Sequence, residues 1–367
     1  MSRLFKLTDF QSLFQNSGNP NNGIRVLSPS TIDVDVLYRE REQQGIYDEI
    51  MFGDNETNLI YGSSGCGKSV ISREVAKSVV RYQGGKFFDG NSVYSHDGDK
   101  KIYIYYVPFL SSGPEELPGY LSKKNIEDYG GDIQHVVFID QLDMHSKEAD
   151  DLDNIFGVVK KSLDNPKIFG VSVKHIDYNF KNELHFESYK NGEIIGILNN
   201  KADKSFQPGV LDPRVIQSCA DITEGRFNSN ISTGMHLLRS TGNIAERSKS
   251  PNATLEHLKE ATELKLRSHR EEMIDSLPEN YKLVLDATNC SIRNNTGKIE
   301  MNEVYRRYSD MSGCSKYTEF VNVLMELDKQ SLHNGCKIER VNGSLKINSI
   351  FMFPEKESGN YNLKNLC

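Results

Sequence analysis

The sequence predicts an α/β protein with a parallel sheet, followed by a mostly helical region and by a small C-terminal module of three helices and a hairpin. Three stretches carry this prediction. In NLIYGSSGCGKSVI, from residue 58, a glycine-rich loop lies between an apolar run and a helical pattern. In HVVFIDQLD, from His135, a continuous apolar run ends in an acidic residue, as strands of a parallel sheet buried on both faces do. Near the C-terminus, Asn342-Gly343 joins two strand-like runs, and this dipeptide favours a hairpin turn because both residues tolerate positive φ.

The glycine-rich loop matches the phosphate-binding pattern G-x-x-x-x-G-K-[ST], and it has the preceding strand and following helix that the pattern requires. In such a loop, successive backbone N–H groups cradle phosphate oxygens, and the N-terminus of the helix adds partial positive charge. The lysine reaches the outer phosphates and the final hydroxyl holds Mg²⁺. We therefore expect ATP or ADP and Mg²⁺ as cofactors, bound by Gly62, Ser63, Ser64, Gly65, Cys66, Gly67, Lys68 and Ser69.

Asp140 is the candidate acidic partner of this loop. It ends the apolar run Val136–Ile139, and a carboxylate there would hold Mg²⁺ together with Ser69. The next residue is Gln141, which cannot act as a base, so it is retained only as a candidate for positioning water. The sequence thus favours nucleotide binding and leaves ATP hydrolysis weak or absent.

The pattern of the C-terminal module predicts a winged helix. Helical patterns begin at Pro278, at Asn302 and near Ser315, and the hairpin follows. From Tyr281 to the end there are twelve Lys and Arg against ten Asp and Glu, a slight basic excess that permits DNA binding. The residues expected to contact DNA are Ser315, Lys316, Tyr317 and Thr318 in the third helix and Lys337, Arg340, Asn342, Gly343 and Lys346 in the hairpin. Binding of protein by this module remains an alternative.

Length, charge and cysteine content limit the classes of protein to which this chain can belong. A length of 367 residues suggests two or three domains. The net charge of −7 argues against a surface coated with nucleic acid, and no apolar run has the length of a membrane span. The six cysteines are scattered without a C-x-x-C pair. They indicate reduced thiols in an intracellular protein. The composition is compatible with the cytoplasm or nucleoid if the source is archaeal, and with the nucleus if it is eukaryotic.

Several motifs together resemble the archaeal-type origin-recognition replication initiators. These are AAA+ ATPases related to the largest eukaryotic origin-recognition subunit and to the eukaryotic helicase loader. The family's D-E-x-D is similar to Asp140-Gln141-Leu142-Asp143. Its helical lid resembles the segment from His185, which ends in LLRSTGNIAERS. Its winged helix resembles SLPENYKLVLDA, NEVYRRY and TEFVNVLMELD in that order.

The chain departs from the family pattern where the family carries out hydrolysis. Gln141 replaces the usual Glu, and the usual G-D-x-R of the lid aligns with Ser229-Asn230-Ile231-Ser232, which has no arginine. The strand from Lys167 ends near Val173 instead of a polar sensor, and no arginine follows it before His185. If this correspondence is shifted, a cation could come from one of three other arginines, Arg214, Arg226 and Arg239.

The resemblance implies five segments: a flexible N-terminal arm over 1–30, an AAA+ P-loop nucleotide-binding core over 31–183, a helical lid and linker helix over 184–276, a winged-helix DNA-binding domain over 277–353 and a tail over 354–367. It implies a protein that binds origin DNA with a nucleotide-dependent conformation and helps recruit the replicative helicase. Double-stranded DNA, the helicase and other initiator subunits are then the partners, with no membrane. Two alternatives stay open, a nucleotide-gated transcription regulator and a catalytically silent, ATP-bound scaffold subunit.

Overall fold

The computed structural model describes residues 13–14, 27, 37–54, 56–82, 86–88, 92–97, 100–108, 114–121, 133–144, 149–294, 298–313, 316–329, 336–341 and 344–349. The chain divides into two compact units, residues 1–262 and 263–367. Of the helices in the described part of the chain, none combines the length and the apolar composition that crossing a membrane requires.

The first unit is built on a seven-stranded sheet with the order β2-β3-β4-β5-β6-β1-β7. Its strands are β1 (Thr57–Gly62), β2 (Lys86–Phe88), β3 (Ser92–Asp97), β4 (Lys100–Val107), β5 (Ile133–Ile139), β6 (Lys167–Ser172) and β7 (Asn182–Phe186). The five strands from β4 to β7 in this order are parallel, whereas β2 and β3 form an antiparallel edge. The parallel sheet that the apolar runs predict is therefore present.

Helices cover both faces of this sheet. Helices α1 (Glu40–Met51) and α2 (Lys68–Tyr82) share one buried cluster with the sheet residues that include Ile60 and Phe138. Helices α3 (Leu117–Leu121) and α4 (Ala149–Ser162) share the cluster on the opposite face. Successive residues of β4 alternate between the two clusters, because side chains of a strand point to opposite faces in turn. Both faces are apolar, which explains the continuous apolar runs.

The lid consists of helices α5 (Asn191–Ser205), α6 (Pro213–Phe227) and α7 (Ile231–Arg247). Helix α6 begins with Pro213 after Asp212, whose carboxylate accepts a hydrogen bond from the backbone N–H of Arg214 at 2.9 Å. Both residues are favourable helix starts. Strand β7 runs across the expected boundary between core and lid at residues 183 and 184.

The N-terminal segment is packed against the lid at the residues that are described. Phe14 is fully buried, and its ring lies 4.9 Å from that of Phe206, centroid to centroid. The backbone N–H of Leu13 donates to the Glu246 carboxylate at 2.8 Å. Burying an apolar side chain such as that of Leu13 or Phe14 stabilises the fold by about 1.5–3 kcal/mol. At Leu13 and Phe14 the expectation of a loose arm is therefore wrong, because their apolar side chains are buried against residues of the lid.

The second unit has the order of elements found in winged-helix domains. After α8 (Leu255–Asp275), which begins in the first unit, come α9 (Glu279–Asn294), β8 (Lys298–Glu300), α10 (Met301–Ser312), α11 (Tyr317–Lys329), β9 (Cys336–Val341) and β10 (Ser344–Ser349). The three strands pair in the order β8-β10-β9. A buried cluster that includes Val284, Tyr308 and Phe320 joins the helices. Strand β8 is not predicted by the sequence, because three residues are too few to show a strand periodicity.

Candidate functional site

The glycine-rich loop leaves the carboxyl end of β1 and enters α2 at Lys68. Gly62, Gly65 and Gly67 have φ values of 150°, 75° and 99°, which side chains rarely adopt. At Gly62 there is also no room, because a Cβ atom would lie 2.2 Å from the carbonyl oxygen of Phe186 in β7. These glycines are required by the backbone path of the loop, as the motif predicts.

Lys68 lies inside the loop that it follows. Its side chain is buried, and Nζ donates hydrogen bonds to the carbonyl oxygens of Gly62 at 2.6 Å and of Ser63 at 2.8 Å. A buried ammonium group is costly unless it is hydrogen-bonded, and the loop supplies these acceptors. The cationic group therefore lies at the centre of the glycine-rich loop.

Ser69 and Asp140 lie next to each other at the carboxyl edge of the sheet. The Ser69 hydroxyl donates to Asp140 Oδ1 at 2.9 Å, although β1 and β5 are separated by β6. Asp140 is buried and its Oδ1 also accepts the backbone N–H of Gln141 at 3.0 Å. The structure thus brings together the two residues that the sequence predicts as the metal site.

Tyr106, at the end of β4, makes a third contact to the same carboxyl group. Its hydroxyl donates to Asp140 Oδ2 at 2.6 Å, and the guanidinium carbon of Arg73 lies 4.2 Å from the centroid of its ring. Burial, followed by the nearby charge of Asp140, raises the pKa of Tyr106 well above its usual value. The phenol therefore stays protonated and acts as a donor.

A hydroxyl and a carboxylate fit Mg²⁺. This ion prefers oxygen ligands, keeps several waters and takes further ligands from phosphate groups. Among the described residues, no group of three or more His, Cys, Asp and Glu side chains is suited to holding a metal. Ser69 and Asp140 are therefore the residues that would hold the ion, at the mouth of the glycine-rich loop.

Gln141 marks a turn after β5. It has a left-handed φ of 55° and an exposed side chain. Two residues later, the Asp143 carboxylate accepts the backbone N–H of Val173 at 3.1 Å, which ties this turn to the end of β6. Val173 and Lys174 are exposed, and the buried Ser172 hydroxyl donates to the Lys174 carbonyl at 2.5 Å. At the end of β6, Ser172, Val173 and Lys174 therefore supply no amide side chain as a polar sensor beside the glycine-rich loop.

The lid contacts the glycine-rich loop directly through the start of α7. Asn230 caps this helix, accepting the Thr233 N–H at 3.1 Å, and its Nδ2 donates to the Ser64 hydroxyl at 3.4 Å. The Ile231 N–H donates to the Gly65 carbonyl at 3.3 Å. The family's lid arginine aligns with Ser232, two residues further along. The lid side chain that touches the loop here is thus the neutral amide of Asn230.

A second lid contact passes through Tyr189 and Arg39. A Cβ atom at Gly67 would lie 2.9 Å from the Tyr189 hydroxyl oxygen, so this hydroxyl reaches the loop. The guanidinium carbon of Arg39, just before α1, lies 4.0 Å from the Tyr189 ring centroid. Arg39 is buried, and it donates to Glu42 at 2.7 Å and to the Glu187 carbonyl at 2.5 Å.

Within the described part of the chain, none of the three alternative arginines makes a hydrogen bond or ion pair with the glycine-rich loop. Arg214 forms an ion pair with Asp212 at 2.7 Å at the start of α6. Arg226 is exposed near the end of α6, and Arg239 lies in the middle of α7. Among the described residues, Arg39 is the cationic side chain that contacts the lid next to the glycine-rich loop.

Sequence reasoning missed Tyr106 and Asn230 as contributors to this site. Tyr106 could have been found from its place at the carboxyl end of β4, the strand beside β5, because such ends meet at one edge of a parallel sheet. Asn230 aligns with the aspartate of the family's G-D-x-R, and its role as a helix cap has a sequence signal in its residue type.

The residues expected to contact DNA are only partly described. Lys316 lies just before α11, and Tyr317 and Thr318 are its first residues; all three are exposed. Lys337 and Arg340 lie on β9, and Lys346 lies on β10. Ser315, Asn342 and Gly343 fall outside the described residues.

Comparison with known proteins gives consistent results along the chain. Residues 195–263 match the model of the Cdc6 AAA+ ATPase-type lid domain. An ORC1-type DNA replication protein of Methanosarcina acetivorans is 26% identical over 91% of this chain and 86% of its own length. A relative of the same description from Desulfurococcus amylolyticus is 26% identical over 80% of each chain.

Solved structures show the same fold. The Aeropyrum pernix ORC1 protein in complex with DNA superposes with a TM-score of 0.63 at 20% identity, covering 89% of this chain and 92% of that one. The Aeropyrum pernix ORC2 protein, in ADPNP-ADP complexes, has a TM-score of 0.53 at 15% identity, covering 94% and 95%. These similarities agree with the motifs: the chain is similar to archaeal ORC1-type DNA replication proteins over most of its length, has their fold, and carries a Cdc6-type lid over residues 195–263.

Proposed function

We propose that this chain is a replication initiator-like protein that binds ATP or ADP with Mg²⁺ and binds origin DNA. The observation that carries the proposal is the contact between Ser69 and Asp140 at 2.9 Å beside the glycine-rich loop. This contact supports a nucleotide site in a chain that is similar to ORC1-type DNA replication proteins over most of their length. One solved structure of the same fold is described with ADPNP and ADP.

The nucleotide would lie between the core and the lid. The N–H groups of the loop from Gly62 to Ser69 would hold its phosphates, and Lys68 would reach the outer ones. Bound Mg²⁺, held by Ser69 and Asp140, would neutralise part of the phosphate charge. Asn230 and Tyr189 touch the loop from the lid, so the lid is placed to respond to an occupied loop.

Turnover of ATP is expected to be slow. Gln141 can orient a water molecule by hydrogen bonding, but it cannot remove a proton. The lid contributes the neutral Asn230 to the loop, so a charge that would stabilise the transition state is missing there. The nucleotide therefore acts mainly as a bound switch.

DNA binding is proposed for the second unit, with the finer domain division at residues 277–353. A solved relative of the same fold, Aeropyrum pernix ORC1, is described in complex with DNA. At the start of α11, the exposed Lys316, Tyr317 and Thr318 precede the exposed acidic residue Glu319, which lies within the helix. Because phosphate repels carboxylates, we expect the N-terminus of α11 and the basic residues of β9 and β10 to make the contacts.

The partners follow from this role. Origin duplex DNA is the first, and other initiator subunits and the replicative helicase are the proteins that an initiator would engage. A Drosophila ORC structure described as bound to DNA has the same fold, with a TM-score of 0.50 at 14% identity. We place the action of the protein where chromosomal DNA lies, inside the cell.

Duplex DNA affinity of the full chain, measured with and without ATP and Mg²⁺, tests this function. An Arg340→Glu/Lys346→Glu variant is expected to lose about tenfold or more in affinity at moderate salt, with a smaller salt dependence. The control is Lys161→Glu/Lys259→Glu, which makes the same charge change on exposed residues of the first unit. Equal affinity of both variants, or no effect of nucleotide on the wild type, would contradict the proposal.

A second candidate is a catalytically silent scaffold subunit whose nucleotide is structural. The replacement of the catalytic Glu by the exposed Gln141 favours it. Nucleotide that stays bound through purification, in a protein whose DNA affinity does not change on nucleotide removal, would support this role over the switch.

A further inference from the structure

Tyr106 is placed to control the metal-binding carboxyl group of Asp140. We propose that Tyr106 is a positioning residue that fixes Asp140 for Mg²⁺, an inference that rests on the proposed binding of nucleotide and metal. The phenol hydroxyl donates to Oδ2 at 2.6 Å, whereas Ser69 and the Gln141 N–H donate to Oδ1 at 2.9 and 3.0 Å. The two oxygens of the carboxyl group thus have separate partners.

The position of the Tyr106 hydroxyl is set by the sheet. Strands β4 and β5 are parallel, with Tyr106 opposite Phe138 and Val107 opposite Ile139. The backbone N–H of Asp140 then donates to the Val107 carbonyl at 2.9 Å, which continues the pairing to the acidic residue. Tyr106 and Asp140 are consequently held at adjacent strand ends by backbone hydrogen bonds.

The ring of Tyr106 is also held on both sides. It is buried, and its centroid lies 6.0 Å from that of Phe138 with the two planes 22° apart. Arg73 of α2, the helix that begins with Lys68, stacks on the ring at 4.2 Å. A side chain packed in this way loses little conformational freedom when its hydroxyl makes a hydrogen bond.

The consequence is a carboxyl group with a fixed rotation. Because Tyr106 occupies Oδ2, the oxygen that faces Ser69 is Oδ1. Hydrogen-bond partners of metal-ligating groups orient them, and their removal typically lowers metal affinity about 10–100-fold. Tyr106 is therefore expected to act on the metal and not on the phosphate-binding loop.

A Tyr106→Phe variant separates these two effects, because it removes the hydroxyl and keeps the packed ring. ATP affinity of the full chain is measured by equilibrium binding in a Mg²⁺ titration and again in EDTA. We expect the Mg²⁺ concentration for half-maximal enhancement of ATP affinity to rise about tenfold, with ATP affinity in EDTA unchanged. In an Asp140→Asn background, Tyr106→Phe should add no further change, as residues acting through one group are non-additive.

The matched control is Tyr105→Phe on the same strand. Tyr105 faces the opposite side of the sheet, and its buried hydroxyl has no hydrogen-bond partner among the described residues. This variant should leave the Mg²⁺ dependence unchanged. An unchanged Mg²⁺ dependence in Tyr106→Phe, or an equal shift in both variants, would overturn the role of Tyr106. Wild-type protein without nucleotide affinity would instead overturn the proposed function, and the inference with it.

Discussion

At the scale of single residues, the site combines an intact binding loop with altered catalytic positions. Lys68, Ser69 and Asp140 have the contacts that a phosphate and Mg²⁺ site needs. Gln141 follows Asp140 at a left-handed turn and is exposed. The amide in place of a carboxylate at position 141 is thus one of the altered catalytic positions of the proposed nucleotide site.

The substitution Gln141→Glu tests whether the residue at position 141 limits ATP hydrolysis. We expect ATP turnover to rise about tenfold, which is below the full contribution of a general base, because the lid side chain that contacts the loop, Asn230, is neutral. Steady-state phosphate release measures it. Met144→Glu is the control, since it adds a carboxylate at an exposed position three residues further along. Turnover that is unchanged in Gln141→Glu, or raised equally in both variants, would show that position 141 does not limit hydrolysis.

At the scale of elements, the start of α7 joins the lid to the loop. Asn228 and Ser229 both have left-handed φ, 50° and 57°, so the chain turns sharply before Asn230 caps the helix. The same Asn230 side chain contacts Ser64. The cap therefore serves both the stability of the lid and its contact with the nucleotide-binding loop.

Removal of this cap should be measurable as stability. Asn230→Ala is expected to lower the free energy of unfolding by about 1 kcal/mol, because one N–H of the first helical turn loses its acceptor. Asn230→Ser retains a capping hydroxyl and should restore most of that loss. Denaturant unfolding followed by circular dichroism provides the measurement. Equal stability of the wild type and the alanine variant would contradict the capping role.

The elements that could be predicted from the sequence are those with a strong local pattern. Strands β1, β5 and β6 are continuous apolar runs because both of their faces are buried. Strand β7 alternates partly exposed and exposed residues until Phe186, so it has no continuous apolar run. Strand β8 has only three residues, which is too short for a strand pattern to be recognised in the sequence. The contact of Arg39 with Glu187 could not be predicted for a different reason: it joins residues 148 positions apart, and no local pattern indicates such a contact.

At the scale of the whole molecule, the two compact units have separable proposed tasks. The first, residues 1–262, holds the glycine-rich loop, Asp140 and the lid. The second, residues 263–367, has the elements of a winged helix. Relatives described as ORC1-type DNA replication proteins align across both units. The central claim is that the first unit binds ATP firmly and hydrolyses it slowly.

ATP binding and turnover by the purified full chain, with and without duplex DNA, test this claim most directly. Lys68→Ala should weaken ATP affinity about 10–100-fold, the equivalent of one charge-assisted hydrogen bond, while Lys77→Ala on the same helix should not. The account predicts tight binding that Lys68→Ala removes, with turnover close to background. Multiple turnover accelerated by DNA, or affinity that does not depend on Lys68, would contradict it.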